Sequence, residues 1–144
     1  MRVQPLTPDL LAATAALEQV VFAEPWSAQA LGLLCGDSAF GVAVVEDGQV
    51  IAYGGMLTVL DEGQVTNIAT HPDHRRRGLG RLVLEALLER ARARGLVEVT
   101  LEVRESNLPA IALYSGLGFE QVGYRPRFYS HPVEAALIMR CQLC

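Results

Sequence analysis

The chain contains no lysine. All twelve basic residues are arginines, and sixteen acidic residues outnumber them, for a net charge of −4. That balance excludes a general nucleic-acid coat, whose affinity comes from neutralising phosphates with excess positive charge. The missing lysine also excludes a Walker phosphate loop, which ends in Gly-Lys-Ser or Gly-Lys-Thr. Cysteine is scarce: Cys35, Cys141 and Cys144 do not make a disulfide framework. Cys141-Gln142-Leu143-Cys144 has CxxC spacing, but a lone copy with no histidine nearby is a weak mark of metal or redox chemistry, so no metal is expected. No apolar run approaches the roughly 20 residues of a membrane-spanning helix, so no membrane partner is expected. The nearest thing to a signal segment, Leu10 to Leu17, follows Asp9, carries Thr14 and meets Glu18. It reads as an ordinary helix, and the expected location is cytoplasmic. The low hydrophobicity of a disordered chain is missing too, since 51% of residues are apolar and the mean hydropathy is +0.25. No repeat, low-complexity tract or linker interrupts the 144 residues, a length that fits one compact domain over 1–144.

What is present is an alternation of periods. Pro8 and Asp9 open a helix through Leu10, Ala13, Leu17, Val20 and Val21. Ser27 resembles the N-cap of a short helix through Leu34 that ends near Gly36. Phe40 to Val45 and Val50 to Leu60 are strand-like runs joined at Asp47-Gly48, a hairpin signal. Gly54-Gly55 inside the second run suggests a bulge or bend. Asp61-Glu62-Gly63 reads as a turn, and Gln64 to Thr70 as a third strand. His71-Pro72-Asp73-His74 follows as an irregular connector; two histidines flanking a turn without further ligands do not make a metal site. From Gly78 to Arg94 a helical stripe carries Leu79, Leu82, Val83, Ala86, Leu87 and Ala91, with Gly95 as its stop. Val97, Val99, Leu101 and Val103 alternate with Glu98, Thr100 and Glu102, as a strand does. Asn107 fits an N-cap, Pro109 the first turn of a helix past Tyr114, and Gly116 and Gly118 its close. Phe119 to Arg125 and Val133 to Gln142 complete the order ααβββαβαββ, a single α/β or α+β domain.

Arg75-Arg76-Arg77-Gly78-Leu79-Gly80-Arg81 is the most informative segment, because it follows a strand and opens a helix. The first turn of a helix presents unpaired N–H groups and partial positive charge. Gly78 and Gly80 let an anion approach that backbone, and the arginines add fixed charge and forked donors. The combination suits a pyrophosphate. A dinucleotide fingerprint needs a third glycine where Val83 stands, so that reading fails.

Arg75-x-x-Gly78-x-Gly80 resembles the acetyl-CoA signature of the GNAT N-acetyltransferases. Glu24-Pro25-Trp26-Ser27, Asn67-Ile68-Ala69-Thr70, Leu101-Glu102-Val103-Arg104, Ser106-Asn107, Ala110 to Tyr114 and Gly118-Phe119 extend the likeness to the RimI-like group, which acetylates the N-terminal alanine of a ribosomal protein. Phe128-Tyr129, Glu134 and Ala136 to Met139 fit the same group; Ala135 stands where it has an aspartate, and His74 where an aromatic is frequent. The resemblance implies a mixed, mostly antiparallel sheet with helices on both faces and a V-shaped opening between two central parallel strands. It implies acetyl-CoA as cosubstrate, held by main chain of Ile68, Ala69 and Thr70, by the loop from Arg75 through Arg76, Arg77, Gly78, Leu79 and Gly80 to Arg81, and by Asn107. It makes Glu102 the general base and Tyr114 the general acid, and lines a peptide groove with Trp26 and Tyr129.

The residues themselves leave other roles open. Asn107 also serves as an N-cap, Trp26 also serves as a packing anchor, Glu102 shares its strand face with Glu98, and a helix-borne Tyr114 also serves the core. Chemistry favours an α-amine acceptor: with a pKa of about 7.7–8.0, roughly a third is neutral near pH 7.5, whereas a lysine at about 10.4 is almost wholly charged. A carboxylate near 4.3 then takes the proton only if burial raises it or water relays it. The expected function is direct transfer, in a ternary complex, from acetyl-CoA to a protein N-terminus, most readily that of a ribosomal protein. Acetylation of a small amine or an antibiotic, and a non-catalytic acyl-CoA-binding module, are the competing readings.

Overall fold

The structure, a computed structural model, describes residues 1–143; Cys144, the second cysteine of the CxxC, lies outside the described residues. Seven strands form one sheet: β1 (Arg2–Pro5), β2 (Ala39–Glu46), β3 (Gln49–Val59), β4 (Glu62–Thr70), β5 (Glu98–Arg104), β6 (Glu120–Tyr129) and β7 (Glu134–Gln142). They lie in the order β1-β2-β3-β4-β5-β7-β6. Only β4 and β5 pair in parallel; every other neighbour is antiparallel. Four α-helices flank the sheet: α1 (Leu11–Val21), α2 (Ala28–Leu31), α3 (Leu79–Ala93) and α4 (Leu108–Gly116).

β2 and β3 read as continuous apolar runs because both of their faces are covered. On one face Ala43, Val50, Tyr53 and Ala69 pack against Leu17 of α1 and Leu31 and Leu34 beyond it. On the other, Val42, Val44, Ile51 and Met56 meet Leu79, Val83, Leu84, Leu87 and Leu88 of α3. The α3 stripe is therefore wider than expected, with Leu84 and Leu88 buried and Leu82 and Ala86 only half-buried. α4 packs on the same side through Ala110, Ile111 and Tyr114.

Local signals account for most boundaries. Asp47 and Gly48 both take positive φ, 51° and 77°, the geometry a two-residue hairpin matched to strand twist requires. Ser27 caps α2 by accepting from the Ala30 N–H, and Asn107 caps α4 by accepting from the Ala110 N–H. Three expectations need correction. β1 was not anticipated: four residues ending in Pro5 are too short for a visible alternation, and they form an edge strand on β2. The turn before β4 is Leu60-Asp61, with Glu62 and Gly63 already in the strand; Leu60, at φ 56°, stands almost fully in solvent. The histidine connector is ordered as a 3₁₀ turn, Pro72–His74, whose first N–H, that of Asp73, is met by the His71 ring as acceptor. No described helix is long and apolar enough to cross a membrane.

Candidate active site

The parallel pair splits. β4 and β5 are in register only from Glu62–Gln64 against Glu98–Thr100; beyond that β4 stays with β3 and β5 stays with β7. The main chain of β4 from Val65 to Thr70 therefore borders a V-shaped opening, with Ile68, Ala69 and Thr70 along it. A bulge marks the split: Gly54 pairs with Ile68 and Met56 with Val65, so Thr66 and Asn67 together oppose Gly55. The glycine pair signalled this irregularity, but the extra residue lies on the partner strand. Both glycines answer to close approach. A Cβ on Gly54 would stand 2.6 Å from Val83 Cγ1, and one on Gly55 2.5 Å from Thr66 Oγ1.

At the end of β4 the chain enters a basic cleft of about 480 Å³, lined by Thr70, Arg75, Arg76, Gly78, Leu79, Gly80 and Arg81, with Pro109 and Leu113 of α4 as the far wall. Arg76 at φ 66° and Gly78 at φ 73° curl the main chain into an anion-binding concavity. The first N–H bonded within α3 is that of Leu82, to the Gly78 carbonyl, which leaves the N–H groups of the preceding residues free for a ligand. Arg77 departs from the expectation. Its guanidinium donates to Glu46 Oε2 at 2.9 Å and to His74 Nδ1 at 2.6 Å, and it does not line the cleft. This pairing holds the half-buried Glu46 carboxyl below its ordinary range and Arg77 above its own. Arg77 thus fastens the loop to β2, and Arg75, Arg76 and Arg81 line the cleft. Asn107 lies outside the cleft lining, with its side-chain oxygen engaged as the α4 cap.

Glu102 and Tyr114 stand on opposite faces of the sheet at the split. Val99, Leu101 and Val103 of β5 are buried against α3, so Glu102 projects to the α1 side, exposed and without a hydrogen-bond partner among the described residues. Glu98, which shares its face, is instead engaged by Arg140 and Gln142. Tyr114 packs on the α3 side, its ring 5.9 Å from that of Phe119, and burial raises its phenol above the ordinary tyrosine value. Tyr129 is tied to both: burial first, then the charge of Glu102, push its phenol up, and Tyr114 adds to the same direction.

A second cleft, of about 320 Å³, opens on the Glu102 side. Phe22, Ala23 and Glu24 after α1 form one wall; Arg104 and Phe128 to His131 form the other. Arg104 builds that wall. Its guanidinium lies 4.4 Å from the Tyr129 ring centre and donates to the carbonyls of Ser130 and Pro132 and to Glu134 Oε1. Glu134 Oε2 accepts in turn from the Ser106 N–H at 2.8 Å, and these donors hold its carboxyl below the ordinary range. Ala135, where the group has an aspartate, is buried in β7. Trp26 does not line this cleft; its ring packs on the α1-side core.

The sequence pattern of the Acetyltransferase (GNAT) family matches residues 11–119. This chain belongs to the GNAT family. It is an acetyltransferase that uses acetyl-CoA as donor, and the RimI-like likeness also stands. The [Ribosomal protein bS18]-alanine N-acetyltransferase of Salmonella typhimurium is 41% identical over 135 residues, which cover 92% of this chain and 90% of that one. The enzyme of the same name from Escherichia coli K12 is 40% identical over 113 residues, 78% of this chain and 76% of that one. The crystal structure of the ribosomal-protein-S18-alanine N-acetyltransferase from Escherichia coli superposes with a TM-score of 0.90 at 35% identity, covering 99% of this chain and 93% of that one.

The donor groups fit the GNAT cosubstrate. A concavity of main chain, free helix N–H groups and three arginines match a pyrophosphate, and the adjoining opening leaves β4 main chain free for a pantetheine arm. Among the described residues, no cluster of three or more His, Cys, Asp or Glu is arranged to hold a metal ion.

Sequence reasoning missed one further polar group, which lies beside these clefts rather than in them. Glu18 of α1 is wholly buried, yet no arginine or histidine pairs with it among the described residues. Three donors meet its carboxyl instead: the Trp26 N–H at 2.8 Å, the Asn67 side-chain amide at 3.2 Å and the Tyr53 hydroxyl. Asn67 also donates to the Tyr53 oxygen at 3.2 Å. Burial and this carboxylate push the Tyr53 phenol far above its ordinary range. The one mark in the sequence is an acid on the helical side that also carries Leu11, Thr14, Ala15, Val21 and Phe22.

Proposed function

We propose that this protein acetylates the N-terminal α-amine of a ribosomal protein, one beginning with alanine, by direct attack within a ternary complex. One observation carries the reading: β4 leaves β5 after Gln64, with Glu102 and the cleft of Arg104 and Tyr129 on one face of the sheet and Tyr114 and the basic cleft on the other. The basic cleft takes the phosphates of acetyl-CoA, whose thioester supplies the acetyl group when bound. Main chain of Ile68, Ala69 and Thr70 aligns the arm beside it. The cleft between the α1–α2 loop and the β6–β7 hairpin takes the peptide, with Tyr129 as a lining residue and Trp26 as the anchor that fixes the loop.

An α-amine is partly neutral near pH 7.5, so little deprotonation is asked of the enzyme. Glu102, open to solvent, draws off the remaining proton through a water. Tyr114 keeps its proton because burial favours the neutral phenol, and it donates that proton to the leaving thiolate. The relatives' ribosomal acceptor, the acidic balance of the chain and a cytoplasmic place of work support one another. The reading takes residues 1–144 as one domain and assigns no metal, membrane or nucleic-acid partner.

The test is calorimetry with acetyl-CoA followed by a turnover panel. Peptides beginning with alanine are expected to react faster than polyamines or aminoglycosides. Faster turnover of the small amines overturns the acceptor, and no heat of acetyl-CoA association overturns the whole reading.

A further inference from the structure

We propose that Glu18 is a positioning residue for acetyl transfer, holding the β4 bulge and the loop after α1 in fixed relation to each other; the inference rests on the acceptor reading above. Glu18 touches neither cleft. Its three donors, however, come from three separate elements: Trp26 from the loop whose Phe22, Ala23 and Glu24 wall the acceptor cleft, Tyr53 from β3, and Asn67 from the bulge where β4 leaves β5. Tyr53 is also the ladder partner of Ala69, within the stretch that borders the opening.

Packing alone does not explain a carboxylate here. Burying an unpaired acid costs free energy that hydrogen bonds only offset, and an apolar side chain of similar volume often serves a core at least as well. What an apolar residue cannot do is fix the orientation of Asn67 and accept the Trp26 N–H. Strong acceptor bonds to a carboxylate are directional, so one side chain sets the bulge and the acceptor loop together. The main chain from Ile68 to Thr70 follows directly from that bulge, and a displacement of about 1 Å in a positioning group costs up to about a hundredfold in rate.

The test compares Glu18→Gln, Asn67→Ala and the exchange Glu18→Gln with Asn67→Asp, which restores one donor and one acceptor. All are assayed well below their unfolding midpoints, with acetyl-CoA and an alanine-initial peptide. Glu18→Gln and Asn67→Ala are expected to lower kcat at least about tenfold and to raise the peptide KM several-fold, while the acetyl-CoA Kd stays within about twofold. The exchange is expected to recover most of the loss. Turnover and KM within about twofold of the parent in folded Glu18→Gln or Asn67→Ala overturn the proposal, as does a loss that only follows the unfolded fraction. If Glu18→Gln does not fold, Asn67→Ala decides, since it keeps the carboxylate and its other two donors. A parent protein that binds acetyl-CoA but acetylates no such peptide overturns the acceptor instead. Hydrogen exchange at the amides of residues 66–70 then judges Glu18: faster exchange in Glu18→Gln supports the role, and unchanged exchange ends it.

Discussion

Tyr114 and Glu102 are proposed for different work because one is largely buried and the other is exposed. Burial raises the Tyr114 phenol, so deprotonation is displaced to higher pH than for a free tyrosine. The sign follows: the acid form persists through neutrality, and kcat is expected to show no alkaline fall from this group below about pH 10, read from a kcat–pH profile. Tyr114→Phe should lower kcat about a hundredfold at saturating substrates with the acetyl-CoA Kd unchanged in calorimetry. Glu102→Gln should likewise keep cofactor affinity and lose most turnover; unchanged kcat at saturating peptide would remove Glu102 from the chemistry. The arginines divide in the same way. Arg77 is committed to Glu46, whereas Arg81 lines the basic cleft and makes only a surface pair with Glu85 at 3.1 Å. Arg81→Ala is therefore expected to raise the acetyl-CoA Kd more than Arg77→Ala does, a ranking that titration of both variants checks directly.

The anion site proposed for the loop from β4 to α3 rests on backbone shape before side-chain charge. Gly78 holds φ 73° with nothing near its absent Cβ, so the constraint is conformational rather than steric. An L-residue pays about 1–2 kcal/mol in that region. Gly78→Ala should lower unfolding stability by about that amount in urea titration and weaken acetyl-CoA binding, because relief of the strain flattens the concavity. The β6–β7 hairpin is the counterpart on the proposed acceptor side. Its order depends on Arg104 and Glu134 bridging residues far apart in the chain, with Arg104 against the Tyr129 ring. β6 itself is exposed along most of its length, so side-chain bonds rather than burial hold its tip.

At the scale of the molecule, a sheet covered on both faces tolerates a split in its centre. α3 closes one side of that split, and Val83 and Leu87 sit directly on Gly54 of β3: Leu87 is fully buried, and its Cδ1 lies 2.9 Å from where a Gly54 Cβ would be. Leu87→Ala should cost about 2–5 kcal/mol of stability, seen as an earlier urea midpoint, through lost burial and the cavity left behind. Acetyl-CoA affinity of the folded fraction should change little, because Leu87 lies about two turns into α3 and does not line the basic cleft. The proposed reaction divides between the two faces, with cosubstrate on the α3–α4 side and acceptor on the α1–α2 side.

Contiguous residues determined what the chain could announce by itself. Helix periods, the Asp47-Gly48 hairpin, the caps at Ser27 and Asn107 and the glycine-arginine loop are local, because turn chemistry and side-chain period are properties of a few neighbouring residues. The family signature, being mostly such local motifs, was legible for the same reason. Tertiary structure alone decided the rest. It turned Arg77 toward Glu46, 31 residues away, and gathered Glu18 with Tyr53 and Asn67 across 35 and 49 residues. It also placed the extra residue of the bulge on β4 and paired the four residues of β1. A side chain's partner is set by which strands lie side by side, and that order emerges only when both faces of the sheet find their cover.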